Sequence, residues 1–334
     1  MSYIIAIGLY LVLLMVYGLV IAHKKVKTTD DMMTGGHKIP FIILVGSLLA
    51  TWCGGGGITG SAGVVYSGGP WVGVLTFAAP PIGIILLYFI AGKVRKSNKL
   101  TVPEIMGARY GTAASIISAL CVMLAYVGVL ATQLKAAANI LVLLCHSSGI
   151  EISHGVALAI CTVIIVIITV GGGLVSVAYS DAVSALIMIG GFFLAIPILM
   201  RAASAQGAVL PAEKTTFTGG MSGWTLLGYF LPSLALMLGD QNMLQRFASA
   251  KNSDEAKKSN IGMFIGEIMV IASIVAVATQ AAKLYPTLDT PSNVIFQVAV
   301  DYLPMVFGAL VMCACMAFIV TTADSYLLSS ATNL

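Results

Sequence analysis

Long apolar stretches dominate this chain and constrain its fold more than any other feature. A helix needs about 20 apolar residues to cross a bilayer. The sequence contains about nine such stretches, near residues 3–22, 41–66, 70–91, 113–145, 154–171, 175–200, 224–245, 260–282 and 304–332. Only 9% of the 334 residues are charged, against about 25% in a typical soluble domain. The sequence therefore predicts an all-α polytopic membrane protein with about nine spans.

The distribution of lysine and arginine predicts which loops face the cytoplasm. Thirteen of the 17 Lys and Arg residues follow the first, third and seventh stretches, and only three lie in the alternate loops. Because cytoplasmic loops retain basic residues, we expect a multi-pass protein of the cell membrane with its N-terminus outside. The net charge of +4 then reflects orientation. The lipid bilayer is the expected environment, and neither nucleic acid nor an obligate protein partner is indicated.

Four consecutive glycines, Gly54 to Gly57, interrupt the second apolar stretch. Non-helical backbone survives at membrane depth only where it is buried in protein or lines a watery cavity. A broken helix frees carbonyl oxygens for a cation and a half-helix N-terminus for an anionic group, as in many secondary transporters. Close helix packing needs fewer glycines, and a phosphate-binding loop needs a lysine and a hydroxyl that are absent. The run therefore predicts an unwound helix at a binding site.

Polar side chains crowd the last apolar stretch, in FIVTTADSYLLSS at 318–330. Serines and threonines in membrane helices usually bond back to their own helix, whereas a carboxylate such as Asp324 by default marks an ion or proton path. Hydroxyl and carboxylate oxygens are ligands for hard cations. We therefore expect this helix to contribute to a site for Na⁺.

Further polar residues lie where lipid-facing residues would not. They are Asp181 at the start of the sixth stretch, Gln133 and Lys135 deep in the fourth, and Asp240 in the seventh. Charges at that depth pair with one another or face a cavity. We therefore expect Lys135 to pair with Asp240 or Asp324, in a structural bridge or in ion coupling. Trp52, just before the glycines, either packs locally or contacts a cationic solute through its ring.

Cysteines and histidines give no sign of a metal centre or a catalytic site. All six cysteines lie in or at the ends of apolar stretches without a C-x-x-C pair, so disulfides and zinc are not expected. The four histidines lie in loops or at span ends, which argues against an enzyme with a catalytic pairing. A channel would need repeated filter segments, and the sequence contains none.

Five motifs, in order, resemble those of the sodium:solute symporter family, whose members adopt the leucine-transporter fold of two inverted five-helix repeats. They are SLLATW followed by glycines at 47–57, TVPEIMGARYG at 101–111, GGLVSVAYSD at 172–181, QRFASAKNSDEAKKS at 245–259 and VTTADS at 320–325. The resemblance implies a single transporter domain over 1–334, with an extra N-terminal span at 1–22, a first repeat at 41–200 and a partial second repeat at 224–334. Family members continue past the last motif, so we expect either a fragment or a short member.

The resemblance also implies ion-binding residues. The family's shared Na⁺ site would use the backbone carbonyls of Ala50, Cys53 and Phe318 and the hydroxyls of Thr321 and Thr322. Some family members hold a further Na⁺, and the matching positions here are Asp181, Thr321, Asp324 and Ser325.

Within the family, the motifs look most like the choline-transporter-like branch, in which an aromatic matching Trp52 lines a quaternary-amine pocket. The tryptophans that this branch has on the fourth and seventh spans are approximately Gly128 and Asp240 here. The candidate solute-binding residues are Trp52, Gly54, Gly55, Gln133, Lys135 and Asp240. The expected function is Na⁺-coupled symport of a small organic solute by alternating access, with a cationic or quaternary amine as the candidate. A fragment that binds ligand and Na⁺ without transport is the alternative, and an ion channel is a weaker one.

Overall fold

A computed structural model of the chain describes residues 2–28, 31, 34–170 and 173–333, in which the regular structure is helical. The helices are α1 (Ser2–Lys25), α2 (Phe41–Trp52), α3 (Ser61–Gly68), α4 (Pro70–Phe77), α5 (Ala79–Ser97), α6 (Val102–Tyr110), α7 (Thr112–Ser147), α8 (His154–Val170), α9 (Gly173–Ala205), α10 (Gly223–Gly239), α11 (Gln241–Ser249), α12 (Ser253–Leu284), α13 (Val294–Asp301) and α14 (Met305–Ala331). Short helical turns cover Gly35–His37, Gly56–Gly60, Ala212–Thr215 and Pro291–Asn293. Gly172, which opens the predicted motif at 172–181, lies outside the described residues.

Six helices among the described residues are long and apolar enough to cross a membrane. They are Tyr3–Lys25, Pro70–Ser97, Thr112–Ser147, Gly173–Ala205, Ser253–Leu284 and Met305–Ala331, and the bent pair Phe41–Trp52 and Gly56–Gly68 makes a seventh if it is one span. The other two predicted spans are α8 and α10, each of 17 residues, slightly short of the length of about 20 that a crossing needs. The all-helical membrane class is confirmed for the described residues, and the count of nine stays a prediction.

The seventh apolar stretch, at 224–245, is two helices rather than one. α10 ends at Gly239, Asp240 adopts an extended conformation (φ −71°, ψ 110°), and α11 begins at Gln241. The Asp240 side chain accepts a hydrogen bond from the Asn242 amide, which is the usual way in which an aspartate begins a helix. The fold therefore contains a second interrupted helix besides the one at the glycine run.

The central helix of the bundle is α14, which contacts α1, α2, α7 and α9. In its most apolar window 72% of the residues are buried, against 11% for α7. An apolar helix with so little burial is typical of a lipid boundary. α14 also contacts the interrupted helix α2, and its polar side chains from Thr321 to Ser325 are buried. This placement brings together the two unusual segments of the sequence.

Candidate functional site

The break in the second apolar stretch lies at Cys53 and Gly54. α2 ends at Trp52, Cys53 has non-helical dihedrals (φ −84°, ψ 45°), and the chain bends by 61° before continuing as helix. The predicted interruption is confirmed, but it is shorter than the run of four glycines, because Gly56 and Gly57 already belong to a helical turn.

Gly54 and Gly55 also allow neighbouring helices to approach the break closely. A Cβ atom at Gly54 would lie 2.7 Å from Thr322 Cγ2 of α14, and one at Gly55 would lie 2.7 Å from Ala136 Cβ of α7. Real Cβ contacts are essentially never that short. The two glycines therefore let α14 and α7 approach the break directly, as small residues do at helix interfaces in membranes.

The broken helix and the hydroxyl-bearing face of α14 meet. Thr322 Oγ1 donates a hydrogen bond to the Ala50 carbonyl at 3.0 Å, and Thr51 Oγ1 lies 3.4 Å from Ser325 Oγ. Thr321 Oγ1 is buried without a hydrogen bond of standard geometry, and the Asp181 carboxyl group lies close enough to interact with its side chain. Threonine hydroxyls and a backbone carbonyl are the kind of oxygen donors that a hard cation takes as ligands. Cys53 and Phe318, whose carbonyls complete the predicted set, are buried as well.

The second candidate cation site contains Arg246, a residue that the pattern of basic residues assigned to a cytoplasmic loop. Asp181 and Ser325 both contact its side chain. Arg246 of α11 is 1% exposed. Its Nη2 lies 3.1 Å from Asp181 Oδ2 and donates to Ser325 Oγ at 2.7 Å. Asp324, the next residue of the predicted set, instead accepts a hydrogen bond from Thr169 of α8. Asp324 therefore has a different hydrogen-bond partner from Asp181 and Ser325.

A cavity of about 470 Å³ lies beside the break. Its lining includes Trp52, Cys53, Gly54, Gln133, Glu267 and Thr322. Gly128, at a position where the resemblance would place a tryptophan, also borders it. Of the two residues predicted to pair across the bundle, neither Lys135 nor Asp240 is part of this lining.

Glu267 of α12 is the one acidic side chain among the described residues that line the cavity, and none of these lining residues is basic. It is 2% exposed, the Cys53 thiol lies 4.0 Å from its Oε2, and the Trp52 side chain interacts with the same carboxyl group. The described residues offer it no ion pair. Glu267 was not among the predicted site residues. It is an acid inside an apolar stretch, as Asp324 is, so the rule that selected Asp324 applies to it equally.

Gln133 and Lys135 lie on different faces of α7. Gln133 is buried, lines the cavity, and accepts a hydrogen bond from the Gly55 amide at 2.6 Å. Lys135 is exposed. The two residues are about 200° apart on a helix that turns about 100° per residue, so only one can face the interior. The expected pair of Lys135 with Asp240 or Asp324 is wrong, since the ion pair found among the described residues joins Arg246 to Asp181.

Asp240 links three helices instead of facing the cavity. It is 1% exposed and accepts hydrogen bonds from the hydroxyls of Tyr126 at 2.7 Å and Tyr326 at 2.9 Å. The Asn242 amide and side chain supply further donors. Because these donors satisfy the carboxylate, Asp240 fastens the α10 to α11 junction to α7 and α14.

The family model that describes the sodium:solute symporter family matches residues 32–334, most of the chain. The chain belongs to the sodium:solute symporter family. Family membership confirms the resemblance seen in the motifs.

Similar proteins include the high-affinity choline transporter 1 of three animals. That of Drosophila melanogaster is 24% identical over 98% of this chain, that of Torpedo marmorata 27% over 81%, and that of Homo sapiens 25% over 90%. The alignments cover 55%, 49% and 55% of those proteins. This chain therefore spans about half the length of the relatives it matches.

A solved structure shares the fold. It is the substrate-bound outward-open state of a Na⁺-coupled sialic acid symporter, with a TM-score of 0.80 and 17% sequence identity. The superposition covers 100% of this chain and 72% of the symporter. The helix arrangement described above is thus an arrangement already known among Na⁺-coupled symporters.

Proposed function

We propose that the protein is a Na⁺-coupled symporter of a small cationic solute, with a quaternary amine such as choline as the first candidate. The observation that carries the proposal is Glu267, the one acidic side chain among the described residues that line the cavity. A buried carboxylate without a cationic partner is expensive by several kcal/mol. A cationic solute would supply that partner.

Trp52 supports the same class of solute. It borders the cavity next to Glu267, and a cation over an indole ring gains about 0.5 to 2 kcal/mol, more when desolvated. A carboxylate and an aromatic ring together suit an amine that carries methyl groups, because the ring accepts a cation that has no N–H to donate. The Gly55 amide, which could have received an anionic group, is already bonded to Gln133.

For the coupling ion we propose a site formed by the carbonyls of Ala50, Cys53 and Phe318 and the hydroxyls of Thr321 and Thr322. The contact of Thr322 with the Ala50 carbonyl and the burial of the Thr321 hydroxyl support it. A cation there would tie α2 to α14. Since Trp52 ends α2, solute and ion would both favour the same position of the broken helix, which is the condition for a coupling free energy of about 1–3 kcal/mol.

Thr322→Ala is expected to raise the Na⁺ concentration needed for half-maximal binding by about tenfold, since a bond to a charged group contributes about 1.5–3 kcal/mol. The measurement is Na⁺-dependent thermal stabilisation of the purified chain, because a ligand that binds only the folded state raises its melting temperature. Thr322→Ser keeps the hydroxyl and is expected to retain an affinity close to that of the wild type. Equal losses in both variants would show that the methyl group matters and not the oxygen.

The transport activity itself is tested by uptake of labelled choline into proteoliposomes that contain the full chain. We expect uptake driven by an inward Na⁺ gradient and absent when K⁺ replaces Na⁺. Uptake that does not depend on Na⁺ would overturn the coupling mechanism. Na⁺-dependent binding without uptake would identify the chain as a ligand-binding piece of a longer transporter. We further propose, from the basic loops, a cell-membrane location with the N-terminus outside, which labelling from one side of intact cells would test.

A further inference from the structure

Arg246 is unusual because a guanidinium is almost never fully buried unless it is paired. From α11 it reaches three other helices at once. Its Nε donates to Ser47 Oγ of α2 at 2.8 Å, and its Nη2 contacts Asp181 of α9 at 3.1 Å and Ser325 of α14 at 2.7 Å. The proposed transport cycle assigns it no role.

The oxygens around this guanidinium form the kind of cage that a metal cation would use. Ser47 Oγ also donates to Asp181 Oδ2 at 2.6 Å, so two hydroxyls and a carboxylate converge on one point. The other carboxylate oxygen, Asp181 Oδ1, and Thr321 Oγ1 are buried without a hydrogen bond of standard geometry, and the two side chains interact with each other. A carboxylate with several hydroxyls is the donor set of a hard-cation site.

We propose that Arg246 is a tethered cation that fills this second site in place of a free ion. The ligand oxygens are present, but the guanidinium already supplies the positive charge that Asp181 requires. A Na⁺ on the same carboxylate would stand about 5 Å from the guanidinium, and at an intermediate dielectric this repulsion weakens its binding by about two orders of magnitude. The protein therefore binds Na⁺ at the site proposed above and not at Asp181. The inference concerns a different set of oxygens from that site, apart from the hydroxyl of Thr321.

The other buried acids near these oxygens support the presence of one cation, the guanidinium of Arg246. Asp324, the nearest other acid on α14, is bonded to Thr169, and Asp240 is bonded to two tyrosines. Neither acid contacts the guanidinium of Arg246, and the ion pair found among the described residues is that of Arg246 with Asp181. Within this pair the two charges cancel without a metal ion.

The test is equilibrium binding of ²²Na⁺ to the purified full chain in nanodiscs, counted per chain. Arg246→Gln removes the charge, so we expect it to bind one Na⁺ more than the wild type. The double variant Arg246→Gln with Asp181→Asn is expected to return to the wild-type count. Arg109→Gln, at an exposed position, is the matched control and is expected to match the wild type. A count for Arg246→Gln equal to or below that of the wild type would overturn the proposal.

A second measurement does not depend on whether Arg246→Gln folds. In Asp181→Asn with Arg246 retained, we expect the number of bound Na⁺ ions to stay at the wild-type value while the melting temperature falls, because the guanidinium loses its partner. A lower Na⁺ count in this variant would show that Asp181 holds an ion beside Arg246, and the inference would be wrong. The number of Na⁺ ions bound by the wild type tests the proposed Na⁺ coupling. The difference in that number between the variants and the wild type tests the inference about Arg246.

Discussion

Glu267→Gln is expected to weaken the binding of choline or tetramethylammonium by about a hundredfold. The substitution keeps the shape of the side chain and removes its charge, and an ion pair at about 5 Å contributes roughly 3 kcal/mol at an intermediate dielectric. The measurement is calorimetric titration of the purified chain with each ligand in the presence of Na⁺. Folding is expected to be preserved, because Glu267 has no ion pair among the described residues that the change would break.

Two controls make this experiment specific for charge. The neutral isostere 3,3-dimethylbutan-1-ol has the shape of choline without its charge, so we expect it to bind the wild type more weakly than choline does. We expect its affinity to be the same for the wild type and for Glu267→Gln. Glu151→Gln changes an exposed loop carboxylate and is expected to leave both ligands unaffected. If choline and its isostere lose affinity equally, Glu267 acts through packing, and the proposal of a cationic solute loses its main support.

Gly54→Ala is expected to destabilise the protein by about 1–3 kcal/mol, the usual cost of forcing an extra carbon into a packed interior, and to reduce Na⁺ affinity at the same time. The new methyl group would lie 2.7 Å from Thr322 Cγ2 and 2.8 Å from the Gln133 amide. Thr322 is β-branched and stiff at χ1, so α14 and the broken helix would have to separate. Melting temperature and Na⁺ half-saturation of the same samples measure both effects.

Gly60→Ala is the matched control for that substitution. Gly60 lies in the same bent segment, but a Cβ atom there would meet nothing within 4 Å. Since alanine is favoured over glycine in a helix by about 0.5–1 kcal/mol, we expect Gly60→Ala to be neutral or slightly stabilising. If Gly54→Ala changed the melting temperature and the Na⁺ half-saturation no more than Gly60→Ala does, Gly54 would not be needed for the close approach of α14 to the break.

The contrast between Lys135 and Glu267 shows the limit of reading buried charge from sequence. Both lie in apolar stretches, and the sequence analysis selected the lysine. The structure exposes Lys135 and buries Glu267 at the cavity. A rule based on depth identifies polar residues that need an explanation, but it does not give the rotation of the helix that carries them. That rotation depends on packing against neighbouring helices.

Arg246 and Asp240 show a second limit, in the choice of partners. The basic-residue rule treated Arg246 as part of a cytoplasmic loop, whereas α11 folds back into the bundle and all nine of its residues are buried. Asp240 was expected opposite a lysine and is bonded to two tyrosines. A hydropathy profile contains no information on which buried acid meets which donor.

The sequence by itself determined the membrane class, the interruption near Gly54, and the polar face of the last helix. These properties follow from local rules, because hydropathy over about 20 residues and glycine content act within a short segment. The tertiary structure decided that Thr322 meets Ala50, that Arg246 rather than Lys135 pairs with an acid, and that Glu267 borders the cavity. Each of these contacts joins residues far apart in the chain, so its existence depends on how whole helices are rotated and packed.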